Sequence, residues 1–235
     1  MSDQVSALSL AIDLVASRDP DLVEIILLSL QVSLTAVFLA VVIGFSLGAL
    51  IATTRFTGRN VLVVLINALM GLPPVVVGLI VYLQLSRSGP LGFLGLLYTP
   101  TAMIIAQTIL ITPIIAALSR QVLEDMYKEY AEQFRAFALS RRHIIIALLW
   151  DARVSLVTVA LAGFGRAVAE VGAVMIVGGN IDHLSRVMTT AIALETSKGN
   201  LALAMALGLV LMCISLAINA AAHTLRYTQM RPSYA

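Results

Sequence analysis

The sequence predicts an all-α integral membrane protein of about five transmembrane helices, and three observations predict it. Of the 235 residues 60% are hydrophobic and 12% charged, with a mean hydropathy of +0.97. A soluble domain holds about 45–50% apolar and about 25% charged residues. Next, the apolar residues gather into five separate stretches, each near the roughly 20 residues needed to cross the hydrocarbon core. Finally, the basic residues segregate to alternate connections, as they do beside membranes.

The stretches are Ile25–Ala52, Val61–Leu85, Thr101–Leu118, Val154–Gly178 and Leu201–Leu225. Between them lie a polar turn, Arg55–Asn60, a Gly/Pro-containing loop, Ser86–Pro100, a long polar segment, Gln121–Asp151, and a mixed loop, Asn180–Asn200. One set of connections carries Arg55, Arg59, Arg120, Lys128, Arg135, Arg141, Arg142, Arg153, Arg226 and Arg231, and the other only Arg18, Arg87, Arg186 and Lys198. That ten-to-four bias predicts an outside N-terminus, with the Gln121–Asp151 loop and the C-terminus in the cytoplasm. The expected organisation is an extracytoplasmic segment over 1–24, a five-helix domain over 25–226 with its cytoplasmic loop at 121–151, and a cytoplasmic tail over 227–235. The first segment has no basic n-region of a secretory signal; Val5, Leu8, Ile12 and Val15 suit a short interfacial helix.

A net charge of +2 with no dense basic run excludes nucleic acid as a partner. Cys213 is the single cysteine, so neither an internal disulfide nor a cysteine metal site can form; it reads as a packing residue in an apolar run. Gly44-Phe45-Ser46-Leu47-Gly48 matches a nucleophile elbow only in letters. The elbow needs a strand-to-helix turn and a positioned His, so Gly44 and Gly48 read instead as a small-residue packing face. No G-x-x-x-x-G-K-[ST] phosphate loop exists, so the chain is not itself an ATPase.

The loop holds the densest pattern. Over Leu123–Phe137, Met126, Tyr127, Tyr130, Phe134 and Phe137 recur at helical steps, predicting one amphipathic helix, with Glu124–Lys128 as an i,i+4 pair. Ser140 is placed to cap a second helix, Arg141–Trp150. Apolar and aromatic residues on such a projection need a partner or the membrane face to cover them; a plain interfacial hairpin between two spans has the same pattern.

Arg166 and Glu170 are the ionisable residues deep in a span, at i,i+4 on the fourth. Charge at that depth is costly and marks either a pathway or a structural ion pair. Gly163, Gly165, Gly172, Gly178 and Gly179 thin the same span, as at a tight interface or beside a conduit. Pro73-Pro74 predicts a kink in the second span. Gln107, Thr108 and Thr112 give the third span a polar stripe, and Thr189 and Thr190 stand in the loop after the fourth.

Two segments carry a family resemblance. Glu132-Gln133-Phe134, then Ala138, then Leu148-Leu149-Trp150-Asp151 resembles the coupling loop of bacterial ABC importer permeases, patterned Glu-Ala-Ala, three residues, Gly, nine residues, Ile-x-Leu-Pro. Glu132 matches strictly; Ala138 stands at the Gly and Asp151 at the Pro. Ala162–Ile181 (AGFGRAVAEVGAVMIVGGNI) and Arg186–Thr196 (RVMTTAIALET) are similar to tungstate-type permeases, with molybdate permeases carrying a related version. The resemblance implies a homodimeric type I importer permease fold in the cell membrane. Its partners would be a second copy, two cytoplasmic ABC ATPase subunits binding ATP and Mg2+, an extracytoplasmic oxyanion-binding protein, and lipid. It places the ATPase contact on Glu129, Glu132, Phe134, Arg135, Ala138, Arg141 and Arg142, and a pathway or gate on Arg166, Glu170, Gly172, Thr189 and Thr190. An ATP-independent secondary anion transporter is the rival reading; the absence of internal repeat symmetry weighs against it.

Overall fold

The computed structural model describes residues 20–229. The expected interfacial helix at the N-terminus falls on 1–19, outside the described residues, and so does the tail beyond 229.

Ten α-helices run through the described residues, with no strand among them. Helix α1 (Pro20–Thr53) opens on proline, whose missing N–H costs nothing at a helix start, with Asp21 in the first turn facing the positive helix end. It stops before Gly58, whose left-handed φ of 92° precedes α2 (Arg59–Leu69). The second apolar stretch is not one kinked helix as expected. It is fully broken into α2 and α3 (Pro74–Leu85), because Pro73 holds an extended backbone and Pro74 can only begin a helix. A 3-10 turn at Gly92–Leu94 leads to α4 (Pro100–Glu129), α5 (Ala131–Ala136), α6 (Arg141–Asp151) and α7 (Arg153–Val168). The chain closes with α8 (Gly172–Gly178), α9 (Met188–Lys198) and α10 (Leu201–Gln229).

Three of these, Pro20–Thr53, Pro100–Glu129 and Leu201–Ala221, are long and apolar enough to cross a membrane; the number rises to five if each of two bent pairs, α2–α3 and α6–α7, is one span. Hydroxyls within α1 are satisfied locally: Ser29, Ser46 and Thr53 donate to the carbonyls four residues back, as an apolar solvent demands.

The fourth stretch, expected as one helix over 154–178, is α7 and α8 with an unwound break at Ala169–Val171. Likewise the amphipathic helix expected over Leu123–Phe137 is in fact the last turns of α4 followed by the short α5. The Asn180–Asn200 loop contains α9, and so Thr189 and Thr190 lie in a helical first turn rather than in a loop.

Two compact units form. The first comprises residues 20–36, Pro73–Gln107 and Gly165–Asn219; the second comprises Val37–Leu72, Thr108–Phe164 and 220–229. The core of the first gathers Leu22, Ile25, Met188, Ala191, Ala206 and Leu207. The core of the second gathers Ala49, Ala52, Leu123, Leu148, Ala152 and Leu156. Within the second unit the expected small-residue face is real. A Cβ on Gly44 would stand 2.7 Å from Ile115, and Ser119 Oγ donates to the Gly44 carbonyl at 3.3 Å. Cys213 is exposed rather than packed within the chain.

Candidate functional site

The polar end of the second unit presents one candidate surface. Helix α4 continues without interruption to Glu129, carrying Glu124 into a cluster of basic groups. Glu124 Oε2 accepts from Arg59 at 2.8 Å and Arg120 at 2.5 Å, and Lys128 stands at 3.4 Å. Burial alone would raise this carboxyl, but the Arg59 hydrogen bond and the charges of Arg59, Lys128 and Arg120 hold it below its ordinary value.

Beyond Tyr130 the chain makes α5 and ends it with a Schellman turn: Leu139 N–H reaches Phe134 O at 3.2 Å and Ala138 N–H reaches Arg135 O at 3.1 Å. Ala138 occupies the left-handed position of that turn, with φ of 46°. Ser140 does precede α6, but its hydroxyl pairs with His143 Nδ1 at 2.7 Å rather than with a backbone N–H.

Phe134 turns inward, half-buried against Tyr127 and Tyr130 with ring centroids at 6.1 and 5.9 Å. The exposed aromatics are instead Phe137 and Trp150, 75% and 69% accessible, with Arg153 lying over the indole at 5.1 Å. Glu129, Glu132, Arg135, Arg141 and Arg142 lie along the same segment, exposed and without an ion pair among the described residues. Unpaired charge of both signs around bare aromatic surface is the composition of an interface waiting for its partner. The sequence pattern put Phe137 with Tyr127, Tyr130 and Phe134 on one helix and did not single out Trp150; with α5 ending at Ala136, the Phe137 ring stays exposed, as does Trp150.

The second constellation is in the first unit, at the α7–α8 break. Arg166 Nη1 donates to Glu170 Oε2 at 2.6 Å, and the Ala173 N–H donates to Glu170 Oε1 at 3.0 Å. Glu170 is thereby both the partner of Arg166 and the anchor of α8's free N-terminus. Its backbone carbonyl accepts from Thr189 Oγ1 at 2.9 Å, which fastens the break to α9. Gln107 Nε2 donates at 3.2 Å to the Ala167 carbonyl, which also accepts from the Glu170 N–H at 3.2 Å, while Gln107 Oε1 is buried without a partner.

Thr190 is fully buried, its hydroxyl turned onto the Val187 backbone. Gly172 lets α8 approach α3, since a Cβ there would stand 2.8 Å from Val75, and at Gly78 it would stand 2.7 Å from Ala173. Gly165 faces open space, and the Arg166 side chain keeps 32% of its surface accessible. Among the described residues no group of His, Cys, Asp and Glu could hold a metal ion.

Residues 25–227 match the family described as "Binding-protein-dependent transport system inner membrane component". The chain is 41% identical over 216 residues to the tungstate uptake system permease protein TupB of Peptoclostridium acidaminophilum, covering 92% of this chain and 95% of that one. It is 40% identical over 174 residues to TupB of Campylobacter jejuni, covering 74% and 73%. A probable anion ABC transporter permease protein of Haloferax volcanii is 41% identical over 204 residues, covering 85% and 88%. Among solved structures, an inward-facing MetNI methionine ABC transporter superposes with a TM-score of 0.71 at 18% identity, covering 89% of this chain and 96% of that one.

Proposed function

This chain belongs to the family of binding-protein-dependent transport system inner membrane components, and we propose that it carries a tetrahedral oxyanion, tungstate before molybdate, across the cell membrane. It is the permease subunit of an ABC importer, not the catalytic one. The cargo rests on one observation: about two-fifths identity to tungstate uptake permeases, in one case over nearly the whole of both chains.

In this reading two copies pair, and two cytoplasmic ATPases bind ATP and Mg2+ and close on each other. Each presses on the surface of Phe137 and Trp150, where Glu129, Glu132, Arg135, Arg141 and Arg142 make the charged contacts. The Ala138 turn sets the angle between the two short helices. An extracytoplasmic binding protein delivers the anion, and the N-terminus lies outside, as the basic-residue bias favours. The pair then rocks between outward-open and inward-open states. Arg166, with a third of its side chain accessible, draws the anion in, while Glu170, Gly172, Thr189 and Thr190 hold the α7–α8 break in the shape a gate requires.

The test is ATP hydrolysis in proteoliposomes holding this chain and its ATPase, with binding protein loaded by tungstate, molybdate or sulfate. Stimulation by loaded binding protein, lost in Glu132→Lys, is the expected result, with tungstate ranking first. If no ATPase assembles and anion flux proceeds without ATP, a secondary transporter replaces this reading.

A further inference from the structure

The connection between α3 and α4 is built, not slack. The Ser86 N–H bonds back to Tyr82 O at 2.8 Å and ends α3. Gly89 N–H then reaches Ser86 O at 2.8 Å and Leu91 N–H reaches Gln84 O at 2.9 Å, folding the chain over the helix end. A Cβ on Gly89 would overlap the carbonyls of Leu83 and Gln84, so the fold-back depends on glycine there.

The return limb passes through Tyr98 at φ of 64°, a left-handed conformation costing a bulky residue about 1–2 kcal/mol. Three contacts impose it. Tyr98 N–H donates to Val177 O at 2.9 Å, its ring meets Tyr82 edge-on with centroids 6.3 Å apart, and its edge lies where a Cβ on Gly179 would stand, 2.7 Å from Cδ1. Backbone strain held by several contacts at once marks a place where a side chain must point one way.

What the strain builds is a cavity of about 590 Å3 walled by Tyr82, Ser86, Arg87, Ser88 and Tyr98. Its polar side chains are a guanidinium and four hydroxyls, with no carboxylate among its lining residues. Arg87 is exposed and makes no ion pair among the described residues, whereas Arg186 and Lys198, also on the side predicted to be outer, are held by Asp182 and Glu195. The Ser86 hydroxyl donates to the Leu83 carbonyl at 3.1 Å and stands 3.4 Å from the Ser88 hydroxyl. A hydrogen bond with Tyr82, then burial, raises the Tyr98 phenol above its ordinary value. A lone guanidinium among hydroxyl donors suits a tetrahedral oxyanion, which accepts at every corner, and offers a cation no acid to replace its water.

We propose that this cavity is an oxyanion site at the outer mouth of the chain, with Arg87 as its ion-pairing residue and Ser88 and the hydrogen-bonded Tyr82–Tyr98 pair as its hydrogen-bond donors. Its place at the outer mouth, and its use in collecting the transported anion, rest on the importer reading; the binding chemistry does not. A lipid phosphate diester shares that chemistry, so two sources are to be separated.

The full chain with its ATPase, in a phosphate-free maltoside detergent, is titrated with radiolabelled tungstate by equilibrium dialysis. In a second arm it is titrated with short-chain phosphatidylglycerol, read by native mass spectrometry. Arg87→Gln is expected to weaken tungstate binding at least tenfold, Arg87→Lys less than threefold, and Tyr98→Phe about two- to fivefold. Loss of lipid binding instead, with tungstate unbound by the wild type, supports the oxyanion site and identifies its occupant as a headgroup. Unchanged binding of both ligands in Arg87→Gln overturns the site. So does a variant that binds ions normally but needs more binding protein for half-maximal ATPase stimulation, which assigns Arg87 to protein docking. A wild-type complex that binds tungstate through Arg87 yet shows no ATP-driven uptake would sink the importer reading and leave the site standing.

Discussion

Arg120–Glu124 and Arg166–Glu170 are the same pair in sequence, an arginine four residues before a glutamate, and they have nearly the same length, 2.5 and 2.6 Å. Their surroundings differ. Glu124 sits inside an unbroken helix, 19% accessible, shared among Arg59, Arg120 and Lys128. Glu170 sits just past the end of α7, 4% accessible, and spends its second oxygen on the Ala173 N–H. In the first case the carboxylate gathers cations from different elements; in the second it replaces the backbone bonds that a broken helix has lost. Spacing announces the pair, but the backbone beneath it decides what the pair does.

The largest expected effect tests the second half of that contrast. Glu170→Ala removes the only carboxylate on Arg166 among the described residues and uncaps α8, and should lower unfolding stability in detergent by about 2–4 kcal/mol; removing one member of a fully buried pair costs about 3–5, and the accessible third of Arg166 reduces this. Glu170→Gln keeps an acceptor for Ala173 and should fall between. Arg166→Gln combined with Glu170→Gln should recover part of the loss, as a double-mutant cycle would show. A Glu170→Ala protein as stable as the wild type would break the comparison.

Glu124→Gln should cost less, about 1–2 kcal/mol, because its partners are partly accessible and one of them, Lys128, is 67% so. Its acid response gives the sharper reading. The Glu124 carboxyl is held below its ordinary 4.5, so its contribution is fully present above pH 4.5 and is lost as pH falls through the lowered folded value. Hydrogen exchange in the last turns of α4, followed from pH 7 downward, should therefore rise more steeply with acid in the wild type than in Glu124→Gln.

The smallest effect has the opposite sign. Ala138→Gly relieves a left-handed alanine at the end of α5 and should stabilise the projection beyond Glu124 by about 0.5–1 kcal/mol, glycine's unfolded-state entropy offsetting part of the relief. Thermal melts of the two proteins decide it, and an unstrained Ala138 would show no gain.

The fold class was legible because lipid imposes it: outside closed barrels, long apolar helices are what satisfies a backbone in hydrocarbon, and α1, α4 and α10 follow from composition alone. What composition hides is where a helix stops inside an apolar run. Pro73-Pro74 signals its break, yet the unwound Ala169–Val171 carries no proline; its signal is Glu170, a carboxylate followed by glycine at the start of a new helix. The loop shows the reverse error. No glycine or proline interrupts the chain from Leu118 to Glu129, so a helix expected to start at Leu123 is the continuation of α4. Contacts between distant residues, such as Arg59 with Glu124 and Glu24 with His183, leave no local trace in the sequence.

That unbroken run also has a mechanical meaning. Eleven residues past Leu118, about 16 Å of helix, carry no joint, and Leu123 is clamped there among Ala49, Ala52, Leu148 and Leu156. In the proposed coupling, a push that reaches Glu129 meets no joint before the seam where Ser119 meets Gly44. On that proposal the last turns of α4 act as a gear tooth cut into their own unit, not as a tether.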